Sequence, residues 1–90
     1  MPVNVRLPTV LRPQAGGLSS ASANGHTVGE VIADLVRQFP NLAGSIVEDG
    51  ALRKFVNIYV NDEDVRYLQA LDTPVEDGDE VSILPAVAGG

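Results

Sequence analysis

The stretch from Thr27 to Phe39 most narrows what this chain can fold into, because its apolar residues recur at the helical period. Val28, Val31, Ile32, Leu35, Val36 and Phe39 fall on one stripe, and Glu30, Asp34 and Arg37 fall on the other side. Such a helix needs a sheet to cover its apolar stripe. Thr27-Val28-Gly29-Glu30 has the form of a capping box, in which the Thr27 hydroxyl and the Glu30 carboxylate reciprocally satisfy backbone N–H groups. Pro40 closes the helix, since the residue before a proline is pushed out of the helical region.

Strand patterns surround it. Val3, Val5 and Leu7 alternate with Asn4 and Arg6, and Phe55 to Val60 is dense in β-branched and aromatic residues, with Val56, Ile58 and Val60 on one face. After a breaker at Pro13–Gly17, Leu18 to Ala23 reads as a short return strand, with Asn24-Gly25 as its turn. Leu42 to Asp49 predicts a further helical turn or two, Asn61 to Asp64 a turn, and Val65 to Tyr67 a brief return strand. Asp77-Gly78-Asp79 is a turn signal, and Val81 to Leu84 is a final strand stopped by Pro85. One helix across one face of a mixed four- or five-stranded sheet, an α+β architecture, satisfies this order.

Ninety residues make one small domain, which buries roughly 60–65% of the surface exposed by its unfolded chain. Six basic side chains face twelve acidic ones, a net charge of −6 that argues against nucleic acid. Ten of the twelve acids lie between Glu48 and Glu80, so one end of the fold carries a negative field able to steer a basic partner. Cysteine is absent, which removes disulfides, thiolate metal sites and thiol catalysis. No apolar run approaches the ~18 residues of a spanning helix, and the N-terminus lacks a signal-peptide pattern. The expectation is a cytoplasmic protein with no membrane partner.

Catalytic constellations are scarce. His26 has no partners for a metal site or a triad, Asp62, Glu63 and Asp64 lack the spaced ligands of a calcium loop, and no glycine-rich phosphate cradle occurs. What remains is the end, Leu84-Pro85-Ala86-Val87-Ala88-Gly89-Gly90. Six residues beyond Leu84, at ~3.3 Å each, reach about 20 Å, far enough to enter another protein's active site. An ionised α-carboxylate is a poor electrophile. Activation as a mixed anhydride with AMP on an ATP-using enzyme makes it reactive, and glycine leaves the carbonyl carbon unshielded. The expected division is a domain over 1–84 and a tail over 85–90.

The order of elements is that of the ubiquitin-like β-grasp fold. Glu76-Asp77-Gly78-Asp79-Glu80-Val81 followed by LPAVAGG resembles the closing segment of the ThiS/MoaD sulfur carrier family. FVNIYVNDEDVR (55–66) and LPTVLRP (7–13) resemble most closely its actinobacterial CysO-type branch. The resemblance implies a protein substrate rather than an enzyme. A ThiF/MoeB-like enzyme adenylates the Gly90 carboxylate with ATP, and a sulfur donor then displaces AMP to leave a thiocarboxylate. In CysO-like proteins the acceptor is a pyridoxal-phosphate cysteine synthase acting on a substrate derived from O-phosphoserine, and a zinc-dependent peptidase releases cysteine. All of these cofactors belong to the partners; none is expected on this chain. A thiosugar, thiamine thiazole or molybdopterin pathway is the alternative within the family. Beyond it stand a modifier that forms isopeptide bonds and a noncovalent interaction domain.

The resemblance also implies an apolar docking patch beside the tail, with Leu84 in it and Pro8 and Val65 at its border. Phe55 and Tyr59 share a face opposite Val56, Ile58 and Val60, and serve either the patch or second-face packing.

Overall fold

In the computed structural model, which describes residues 2–48, 51–52 and 56–85, the period-two segments pair into one mixed sheet. The elements in chain order are β1 (Val3–Arg6), β2 (Ser20–Ala23), α1 (Val28–Gln38), β3 (Val47–Glu48), β4 (Ala51–Leu52), β5 (Val56–Val60), β6 (Glu63–Asp64) and β7 (Glu80–Pro85). The five-stranded sheet has the order β2-β1-β7-β5-β6, and β3 with β4 makes a separate two-stranded ribbon. β1 runs antiparallel to β2 and parallel to β7, with Val5 opposite both Ala21 and Val81. β7 runs antiparallel to β5, with Ile83 opposite Ile58.

This register aligns the apolar alternation of three strands on one face. Val3 and Val5, Val81 and Ile83, and Val56, Ile58 and Val60 are all buried there, against Val28, Val31, Ile32 and Leu35 of α1. The expected stripe is the observed one, with Val36 and Phe39 half-buried at its margin. The Thr27 hydroxyl accepts from the Glu30 N–H at 3.2 Å. The Glu30 carboxylate, however, reaches the His26 N–H at 2.9 Å rather than that of Thr27. The shift follows from the chain segment before β7, whose backbone pairs with His26 and Val28 through Val75 and Thr73 and so fixes the entry to the helix.

Several expectations are corrected. Pro13–Gly17 does not simply interrupt the chain, because Thr9–Ala15 winds into a 3-10 helix that buries Ala15 and ends on Gly16 at φ 67°. Leu42 to Asp49 is not helical: Pro40–Leu42 forms one 3-10 turn, and β3 follows at Val47, with Asp49 outside the described residues. The turn after β5 is Asn61-Asp62 alone, both at positive φ (48° and 76°), so β6 begins at Glu63. Val65–Tyr67 is a 3-10 turn instead of a strand. Pro85 lies within β7, opposite Val56, one residue beyond the expected stop.

Two carboxylates tie turns to the core elements. Asp34 Oδ2 accepts from the Asn24 N–H and from Gln38 Nε2, both at 3.0 Å. Asp79 accepts from the Glu76 N–H at 2.9 Å and from Asn61 Nδ2 at 3.1 Å. The Asn24 N–H above all holds the Asp34 carboxyl below its ordinary range, and the Glu76 N–H does the same for Asp79. A carboxylate whose folded pKa is depressed stabilises the fold above its unfolded value of about 3.9, and that contribution is lost as pH falls through the folded value. Asp79→Asn should therefore flatten the loss of stability below about pH 4, read as urea midpoints between neutral and acid pH; an acid limb as steep as wild type's would contradict it.

Gly25 carries a second prediction. A Cβ there would stand 2.7 Å from both Glu30 Cβ and the Val31 nitrogen, and backbone cannot give way cheaply. Gly25→Ala should cost about 1–3 kcal/mol in urea unfolding, the range of an overpacked site, and an unchanged midpoint would show that the approach is not tight.

Candidate functional site

The strand positions between the core residues look away from α1. On β1 these are Asn4 and Arg6, on β5 Asn57 and Tyr59, and on β7 Glu80, Ser82 and Leu84. The pairing sets Asn57 opposite Leu84, and Ser82 between Tyr59 and Arg6. Leu84 is thus directed opposite to Ile83, as strand alternation requires, and its place in the patch given by the resemblance agrees with its 44% exposure.

Immediately after β1 the chain turns at Leu7 and Pro8 into the 3-10 helix, which lifts Val10 to 65% exposure. Arg12 Nε donates to the Leu7 carbonyl at 3.2 Å and pins this turn. The outer sheet face and the turn enclose a shallow concavity of about 900 Å³, whose lining includes Pro8, Val10, Tyr59, Ser82 and Leu84. Arg6 and Glu80 line it too, with Arg6 Nη1 3.8 Å from Glu80 Oε1. Both are well exposed, so this pair gives the floor mixed charge and little stability.

Leu84, Pro8 and Tyr59 are therefore brought together. Val65 is not: its side chain is 0% exposed, and its placement at the border of the patch is corrected. The reason is the hairpin register. With Asn61-Asp62 as the whole turn, Val60 faces Glu63 and Tyr59 faces Asp64, so the next residue falls on the core side beside Ile58. Phe55 and Ala86, Val87, Ala88, Gly89 and Gly90 lie outside the described residues. Val10 was not singled out from the sequence; its only signal is the break of strand alternation after Pro8. The Arg66 guanidinium, which hydrogen-bonds Asn57 Oδ1, was missed as well, and it stands next to Leu84's cross-strand neighbour.

No cluster of histidine, cysteine or carboxylate among the described residues could hold a metal ion. His26 is fixed through its backbone, its N–H to Glu30 and its carbonyl to Val75. No described helix is long and apolar enough to cross a membrane. The face offers an apolar seat with polar surroundings, placed where β7 hands the chain on after Pro85.

Residues 5–90 match the ThiS family. The sulfur carrier protein CysO of Mycobacterium tuberculosis is 52% identical over 93 residues, covering all of both chains. The chain belongs to the ThiS family. Among solved structures, one chain of the Amycolatopsis orientalis BexX/CysO complex superposes with a TM-score of 0.92 at 46% identity, covering 98% of this chain and 99% of that one. The small archaeal modifier protein 1 of Methanosarcina acetivorans follows the same ubiquitin-like β-grasp fold, with a TM-score of 0.86, 35% identity and coverage of 98% and 95%.

In this ThiS-family chain, Leu84 has a surface role and Val65 a core role. Val65→Ala should cost about 2 kcal/mol by removing buried methyl groups, whereas Leu84→Asp should cost less than about 1 kcal/mol. Chemical denaturation of the two variants tests the assignment, and equal losses would undo it.

Proposed function

We propose that this chain is a sulfur carrier whose C-terminal glycine carboxylate is converted to a thiocarboxylate by a partner enzyme, and that it serves as a co-substrate rather than a catalyst. The observation that carries this reading is the course of β7: it leaves the centre of the sheet at Pro85, beside an exposed apolar seat, with a Gly-Gly ending five residues on. Family membership and the full-length likeness to CysO support it.

In the first step a Gly90 carboxylate oxygen attacks the α-phosphorus of ATP on a ThiF/MoeB-like enzyme, and pyrophosphate leaves. Sulfide then attacks the acyl carbon, and AMP departs with the original oxygen; a persulfide donor instead leaves an acyl disulfide, whose S–S bond is cleaved by a thiol reductant to release the same thiocarboxylate and a disulfide. The product, –CO–S⁻, keeps its charge on sulfur at neutral pH and is carried to an acceptor on the tail Pro85 to Gly90. Cysteine is the proposed destination, with a pyridoxal-phosphate synthase as acceptor and a zinc-dependent peptidase releasing the product. The CysO partnered with BexX in the A. orientalis complex shows that a related carrier associates with another protein. Leu84, Pro8, Tyr59 and Val10 form the seat for the adenylating enzyme, where an apolar residue in a partly desolvated pocket contributes most. The site of action is the cytoplasm.

The archaeal modifier likeness favours a second reading, in which the same activated glycine passes to a lysine of another protein. Incubation with ATP, a ThiF/MoeB-like enzyme and sulfide separates the two. Intact mass should rise by the exchange of one oxygen for sulfur on wild type, more slowly on Gly90→Ala, and not at all after deletion of Gly90. Leu84→Asp should weaken binding of the adenylating enzyme at least about ten-fold, roughly 1.4 kcal/mol. Thiocarboxylation of the deletion variant would remove Gly90 from the mechanism, and covalent conjugates without thiocarboxylate would favour the modifier.

A further inference from the structure

β2 ends one side of the sheet, and its outer side meets no other strand among the described residues. The register with β1 decides which of its backbone groups point outward. Leu7 N–H donates to the Ser19 carbonyl at 2.9 Å, so Val5 with Ala21 and Val3 with Ala23, two and four residues along, are the pairs that exchange hydrogen bonds. Ser20, Ser22 and Asn24 alternate with them and turn their N–H and C=O groups away from β1.

Two of these outward groups are covered from the helix. Gln38 Nε2 donates to the Ser22 carbonyl at 2.8 Å, and the Asn24 N–H donates to Asp34 Oδ2 at 3.0 Å. Gln38 Nε2 also donates to Asp34 Oδ2 at 3.0 Å, which locks the two covering side chains, one helical turn apart, into a single clasp. The opposite edge, β6, is only two residues long and both are acidic, so it is a poor template. β2 lacks that protection. From Leu18 to Asn24 no residue is charged, and Ser20 and Ser22 are exposed.

We propose that the Asp34–Gln38 clasp closes a strand-addition site on β2, and that the strand it excludes is β2 of a second copy of this chain. Antiparallel addition centred on Ser22 sets Ser22 against Ser22 and Ser20 against Asn24, small neutral pairs that need no side chain to move. Charge points to the same occupant. At a net charge of −6 two copies repel over most approaches, and once the Asp34 carboxylate is removed this edge, whose own residues carry no charge, is where they can meet without opposing carboxylates. Strand addition uses main-chain hydrogen bonds, so removal of the clasp alone unmasks it.

Light scattering over a concentration series reads the outcome. The double variant D34A/Q38A should shift from the 9.5 kDa of one chain to twice that mass as concentration rises, while wild type stays at one chain. S22R added to D34A/Q38A should restore the single-chain mass, because two guanidinium groups would then face each other across the new pair. Arg37→Ala removes the 3.7 Å ion pair to Asp34 but neither edge contact, and should remain single. A natively folded D34A/Q38A that keeps the mass of one chain, a dimer that survives S22R, or a dimer of Arg37→Ala would each overturn the proposal. Should D34A/Q38A lose its far-UV circular dichroism, D34K/Q38E decides: this helix-compatible pair can neither accept from the Asn24 N–H nor donate to the Ser22 carbonyl, and a folded single-chain mass throughout would overturn the proposal where a doubling supports it.

Discussion

Everything in this molecule is referred to the parallel pairing of β1 with β7. It joins the first and last strands at the middle of the sheet, with Val5 beside Val81 and both buried against the helix. Parallel strands are buried strands, and here the pair has α1 on one face while the other face stays accessible. Because the two strands run the same way, Arg6 lies beside Ser82 and the chain reaches Pro8 level with Leu84. One strand then turns back and the other continues. The shallow seat is the space between those two departures, so it is a product of topology before it is a product of side-chain choice.

The same alternation that fills the core furnishes the outer surface. Each strand spends every second residue on the helix side, and what remains on β5 and β7 is Asn57, Tyr59, Ser82 and Leu84. A carrier working as proposed, through its terminal carboxylate, has no need of an internal cavity. It needs a rigid platform and a defined point of departure, and the valine- and isoleucine-rich core, with its stiff β-branched side chains, supplies the rigidity.

Much of the fold was legible because its strongest elements obey one period each. The stripe of α1 and the dense run of β5 are where local preference and packing agree. Legibility failed where a short turn resets the parity. The family resemblance puts Val65 at the border of the patch, and nothing in the run Asn61 to Asp64 announces its length, yet two residues at positive φ complete the turn and send Val65 inward. Thr9–Ala15 was hidden by Pro13 and the glycine pair, which signal interruption although a 3-10 helix tolerates a proline that an α-helix would not. The displaced partner of Glu30 depends on a backbone bridge between Thr27 and Pro74, forty-seven residues apart in sequence, and no local pattern encodes that. Within the site, Leu84 followed from the family resemblance with strand parity in agreement, whereas Val10 required knowledge of how the chain leaves β1.

The shared direction of the first and last strands has a practical side. β1 starts at the end of the sheet where β7 also starts, so anything fused ahead of Val3 emerges about 20 Å, six residues of strand, from Pro85. An affinity handle or a fluorophore placed there sits across the sheet from the point where β7 hands the chain on, which makes the segment ahead of Val3 the natural anchorage for immobilising this protein when the proposed carrier role is assayed.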